Sequence, residues 1–178
     1  MDEKGGIFLD LTRFFRPDIE FRILSNLPFP SHFNPRWGVQ LQSREELLAR
    51  LKRGEGELGV WFKEGWRDYR DLEFWGGDGV PLDYPQIVLN LLYFLNRVSR
   101  EQVGVCLDKK IPRLLDNHLP YLIIQRKSQI ELDQNIFVAV DGILLFPLIT
   151  PQFDPFLPLL KLAELSRRVG EKVRKWTG

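Results

Sequence analysis

Apolar positions are densest between Tyr84 and Arg100, in the stretch YPQIVLNLLYFLNRVSR. Ile87, Val88, Leu89, Leu91, Leu92, Tyr93, Phe94, Leu95 and Val98 leave little of a helical circumference polar, which predicts a buried central helix over 84–100 covered on most sides by other elements. Asp83 stands where an N-cap belongs, and Pro85 falls in the first turn, where a missing N–H costs nothing. Asn96, Arg97, Ser99 and Arg100 make the last turn polar, and cations there suit the negative end of the helix dipole.

Shorter patterns flank this stretch. Residues 7–12 and 19–24 are β-prone runs, the second alternating Ile19, Phe21 and Ile23 against Glu20 and Arg22 as a half-buried strand does. Residues 27–38, LPFPSHFNPRWG, have no usable period and read as an ordered loop. Ser43 to Glu46 matches a capping box, and Leu47, Leu48 and Leu51 share one face before Gly54, a short amphipathic helix. Leu58 to Phe62 and Trp66 to Tyr69 predict a hairpin around Glu64-Gly65, followed by a glycine-punctuated loop up to Asp83.

Beyond the apolar stretch, Gln102 to Leu107 predicts a strand and Ile111 to Leu119 a short helix. Residues 121–124 and 130–132 fit either two strands or the tail of a helix. Ile136 to Val140, Asp141-Gly142, and Ile143 to Phe146 form the pattern of a type I′ hairpin, with both arms apolar enough to be central strands. Asp154-Pro155 opens a final amphipathic helix over 155–176, with Leu162, Leu165, Val169, Val173 and Trp176 recurring every three or four residues. No repeat, low-complexity tract or linker divides the chain. The expected architecture is a single α+β domain over 1–178 with a mostly antiparallel sheet covered by helices.

Composition narrows the classes. A chain of 178 residues suits one domain with a substantial core. Its 25 basic and 24 acidic residues nearly cancel, so binding to nucleic acid or an anionic membrane would need a local patch. The one cysteine, Cys106, excludes an internal disulfide framework and a thiolate cluster for zinc or iron–sulfur, and a reducing, cytoplasmic compartment is the simplest reading. The N-terminus lacks the apolar run of a signal peptide, and no apolar stretch reaches the roughly 18 residues of a membrane span.

Candidate chemistry is sparse, and no cofactor is implied. No P-loop is present, and Gly76-Gly77-Asp78-Gly79 lacks the strand-to-helix spacing of a dinucleotide fingerprint. His32 and His118 have no partner at ligand spacing, and Cys106 lies among valines and a leucine, where a thiol behaves as a small hydrophobe. Asp68, Asp71, Glu73, Asp78 and Asp83 form a carboxylate set of the kind a divalent metal wants, although acidic residues are common in any solvated loop.

Asp108-Lys109-Lys110 closes an apolar strand in D-x-K order, in which a carboxylate holds a metal and a lysine supports a scissile phosphate. With Asp78 or Asp83 upstream this resembles the PD-(D/E)xK nuclease signature, which implies metal-dependent nucleic-acid processing with Asp78, Asp83 and Asp108 as ligands. That family sets its two acidic positions on neighbouring strands of one hairpin, whereas here the apolar stretch lies between them.

Two surfaces complete the picture. Arg167, Arg168, Lys172, Arg174 and Lys175 would line the final helix and could track a phosphate backbone if Arg126 and Lys127 lay nearby, with Trp176 as a stacking surface. Glu164 and Glu171 fall at i, i+4 to Arg168 and Lys175, the pattern of a solvated helix. Aromatic residues crowd the loops: Trp37 in one, and Trp61, Trp66, Tyr69, Phe74 and Trp75 interleaved with Arg70 in another. Aromatic and arginine side chains supply most interface anchors. The leading expectation is therefore a non-enzymatic subunit or adaptor binding a protein partner or a second copy through that aromatic surface, and nucleic-acid binding or processing is the alternative.

Overall fold

A computed structural model of the chain describes residues 44–61, 67–113, 118–152 and 157–176. The expected strands at 7–12 and 19–24 and the loop 27–38 lie outside the described residues. In chain order the elements are α1 (Arg44–Lys52), β1 (Leu58–Trp61), a 3₁₀ turn (Tyr69–Asp71), β2 (Glu73–Gly76), β3 (Pro81–Leu82), α2 (Tyr84–Val98), β4 (Val103–Leu107), β5 (Leu122–Arg126), β6 (Asn135–Val140), β7 (Ile143–Leu145) and α3 (Leu157–Val169). The fold is α+β.

There are two sheets among the described residues where one was expected. The first, β1-β2-β3, is antiparallel throughout. The strand paired with β1 is Glu73–Gly76 and not Trp66 to Tyr69, because the Asp68 side chain accepts from the Arg70 N–H and folds 69–71 into a tight turn. The second sheet has the order β5-β4-β6-β7, with β4 parallel to both β5 and β6 and only β6–β7 antiparallel. Parallel pairing needs long crossovers, and the connection from β4 to β6 through β5 supplies one. Central parallel strands are buried on both faces. Val105, Leu107, Phe137 and Ala139 face the main core, while Cys106, Val138 and Val140 form a second cluster behind them.

Asp141 and Gly142 take positive φ, 52° and 78°, and close the β6–β7 hairpin as a type I′ turn. β6 is central in its sheet, but β7 ends the order among the described residues. The ambiguity over 121–132 resolves as one strand, β5, with residues 130–132 in no regular element.

α2 begins at its expected cap, with the Gln86 N–H donating to Asp83 Oδ1 at 2.9 Å. Its apolar residues other than Leu89 enter one cluster with β4, β6, β7, α3 and the inner side of the first sheet. Asn90 and Asn96 are buried on it too. Tyr121 N–H donates to Asn96 Oδ1 at 2.9 Å, which fixes the entry to β5.

The final helix is shorter than the expected 155–176. It ends at Val169, where Gly170 (φ 74°) turns the chain and Gly170 N–H donates to Ser166 O at 2.9 Å. Residues 171–176 are not helical. Val173 is buried, and the segment runs against α2, whose Gln86 and Asn90, one turn apart, treat it as a strand would. Asn90 donates to Arg174 O at 2.8 Å and accepts from Arg174 N–H at 3.1 Å. Gln86 donates to Trp176 O at 3.0 Å and accepts from Trp176 N–H at 2.6 Å.

Asn90→Ala removes half of this clamp. It is expected to lower stability by about 1–3 kcal/mol, and hydrogen exchange should show the Arg174 and Trp176 amides losing protection together while the β4 and β6 amides keep theirs.

Candidate functional site

The aromatic stretch is mostly interior. Side chains alternate along β2, so Phe74 enters the main core while Trp75 turns to the opposite face and packs with Leu47 and Leu51 of α1. Tyr69 is fully buried in the main core. Trp61 is half-buried against the α1 cluster. These rings therefore move from candidate surface to core, and the reason is that β2 has covered sides on both faces. Arg70 remains exposed, and Trp37 and Trp66 lie outside the described residues.

The basic residues do not share a helical face. Arg167 and Arg168 are exposed on α3, whereas Lys172, Arg174 and Lys175 lie on the clamped segment beyond it. Arg174 is stacked over Trp176, 4.4 Å from its ring centroid, and over Tyr93 at 5.7 Å. Arg126 donates to Ile111 O at 2.7 Å, and Lys127 pairs with Glu131. Both are tied to their own neighbourhood at the end of β5.

The carboxylates separate only in part. Asp78 stabilises the β2–β3 turn by accepting from Val80 N–H at 2.9 Å. Asp83 caps α2, and Asp108 accepts from Lys110 N–H at 2.8 Å. Asp83, Asp108 and Lys110 line one cavity of about 310 Å³, and Asp78 does not. Among the described residues no three His, Cys, Asp or Glu side chains converge as a metal site would require. Cys106 is buried, which pushes its thiol pKa up, and His118 is exposed.

That cavity contains a residue the sequence patterns passed over. Tyr84 opens α2, and its hydroxyl is enclosed without a hydrogen-bond partner. A buried hydroxyl left unpaired costs about 1–3 kcal/mol. Burial first, and then the Asp108 carboxylate, push its pKa above the ordinary phenol range, so it stays a neutral donor. The Gly142 backbone is near enough to oppose that rise slightly, without completing a hydrogen bond. Beside it Arg70 grips Asp68 through Nε at 3.0 Å and Nη2 at 2.6 Å, which holds the Asp68 carboxyl below its usual range. The pair sits over Gly142, where a Cβ would meet Arg70 Nε and Asp68 Oδ1 at 2.5 Å.

A second concavity, about 260 Å³, lies between the end of α2, α3 and the turn after β7. Leu95, Val98, Ile136, Phe146 and Leu165 give it an apolar wall. At its lip the turn Pro147 to Thr150, closed by Ile149 N–H and Thr150 N–H both donating to Phe146 O at 2.9 Å, projects Leu148 and Ile149 outward. Lys161, Glu164 and Arg168 form a mixed-charge edge, with Lys161 Nζ 2.7 Å from Glu164. Two apolar side chains after a proline were a readable signal, masked by their place at the tail of an apolar hairpin.

No protein-family model matches the chain, and no curated protein sequence matches it. No described helix is long and apolar enough to cross a membrane.

Trp75→Ala tests the interior placement directly. It is expected to cost about 3–5 kcal/mol in urea or guanidinium unfolding. A loss below about 0.5 kcal/mol, the range of surface substitutions, would return the ring to the surface.

Proposed function

We propose that the chain works as a non-enzymatic interaction subunit of the cytoplasm, and that the surface it uses is the apolar groove and turn beside α3, with a second copy of the chain as the occupant. The observation that carries this reading is Leu148, 77% exposed, next to Ile149, 55% exposed, at the lip of an apolar concavity. Single exposed apolar residues are ordinary, but two adjacent ones bordering an apolar groove make a patch of the kind that marks an interaction site. Knob and groove lie side by side on one face. A two-fold axis between them would let each copy seat its turn in the groove of the other, the self-complementary arrangement of closed dimers. The mixed-charge edge at Lys161, Glu164 and Arg168 fits the polar rim that surrounds such a centre.

Leu148→Asp with Ile149→Asp should abolish self-association, read by sedimentation velocity across a micromolar-to-millimolar series. Unfolding of the dilute monomer should change by no more than about 0.5 kcal/mol, as at other exposed positions. An unmodified chain that remains monomeric to millimolar concentration overturns the reading.

A further inference from the structure

We propose that the cavity at the carboxyl ends of β4 and β6 binds a small zwitterion of the α-amino-acid class, its carboxylate received by Arg70, Lys110 and the Tyr84 hydroxyl and its ammonium by Asp108. The site shares no lining residue with the apolar groove and does not depend on self-association.

Placement is the first argument. Parallel strands gather ligands beyond their carboxyl ends, because there the chain leaves the sheet in loops that can carry chemistry. Asp108 follows β4 directly, Asp141-Gly142 follows β6, and Asp108 N–H donates to Ala139 O at 2.8 Å, which holds the two strand ends together. The cavity, about 310 Å³, lies at the small end of the usual range for ligand sites, about 300–1,000 Å³.

Charge selects the ligand. Arg70 and Lys110 bring two cations to the cavity and Asp83 and Asp108 two carboxylates. A ligand of one sign would satisfy one pair and oppose the other, whereas a zwitterion meets both. Asp83 and Asp108 each give Oδ1 to one backbone N–H, of Gln86 and of Lys110, and Asp108 is assigned to the ammonium because it is the carboxylate of the pair that acts on the Tyr84 hydroxyl. Arg70 holds Asp68 through Nε and Nη2, leaving Nη1 without a partner among the described residues.

Tyr84 supplies the independent sign of a ligand. The residue is 9% exposed, yet its hydroxyl has no hydrogen-bond partner, and of the charged groups that act on it Asp108 and Arg70 line the cavity while Asp68 is held by Arg70. A buried donor without an acceptor is stable only at a cost that a bound oxyanion would remove. The Arg70 side chain that lines the cavity with it is 54% exposed. Pro85 and Ile111 give an apolar wall for the ligand's own side chain.

The test is thermal shift followed by titration calorimetry on the full chain with each of the twenty proteinogenic amino acids. At least one should raise Tm in a dose-dependent way, as binding to the folded state must. Its N-acetyl derivative and its decarboxylated amine should each bind at least tenfold more weakly. Tyr84→Phe should weaken binding at least tenfold without lowering the Tm of the free chain, since the lost hydroxyl has no partner there. Asp108→Asn, which keeps an Oδ1 acceptor for Lys110 N–H, should weaken it to a similar degree. Failure of every amino acid to bind overturns the assignment. So does equal binding by the acetylated or decarboxylated form, and so does a free-chain Tm that falls in Tyr84→Phe.

Discussion

The constraint on which this structure depends is that α2 is buried among other elements and must still bring polar groups with it. Ten of its residues are buried. A helix satisfies its own backbone, so its interior costs little hydrogen bonding. The irregular segments packed against it have no such internal ladder and need partners from outside. α2 meets that need with amide side chains: Gln86 and Asn90 engage the 171–176 segment, and Asn96 engages Tyr121. Each amide carries a donor and an acceptor, so at i, i+4 two of them reproduce the edge of a strand. Ala or Leu at these positions would improve helix propensity or apolar burial and leave the neighbouring chain without bonds.

The end of α3 follows from the same requirement. An apolar repeat that includes Val173 and Trp176 is indistinguishable by period from a longer helix. Gly170 breaks it, Ser166 accepts the returning amides of Gly170 and Glu171, and the freed strand satisfies the polar atoms on α2. Trp176 then packs on Tyr93 with ring centroids 4.8 Å apart, and Arg174 lies over both rings. The basic residues of the terminus are divided between a helix and a strand-like segment, and one of them is held by stacking.

Local signals were legible where the physics is local. The Asp83 cap and the Asp141-Gly142 turn act through neighbours in sequence, and both stand where the residues place them. Pairing is not local. β4 and β6 read as apolar runs buried on both faces, which is also how parallel strands read, but nothing in either run names its partner. The β1 partner was misplaced because Glu64-Gly65 offers a turn dipeptide, while the turn at 69–71 depends on one Asp68 side chain reaching Arg70 N–H. The aromatic stretch was ambiguous for a related reason. Trp75 is interior only because α1 covers the outer face of the first sheet, a tertiary fact with no trace in residues 61–75.

Polar groups on a buried element sort into those the fold has matched and those it has not, and the contrast along α2 is informative. Asn90 and Asn96 are buried and paired, so their retention is explained by the segments they hold. Tyr84 is buried and unpaired at the same helix's first turn, in a cavity it shares with residues that follow the ends of two parallel strands. Phenylalanine there would fill the same volume and remove the unpaired hydroxyl. A side chain that departs from the pattern of its own helix, at the position where sheets of this kind collect ligands, marks the point at which stability alone no longer accounts for the residue.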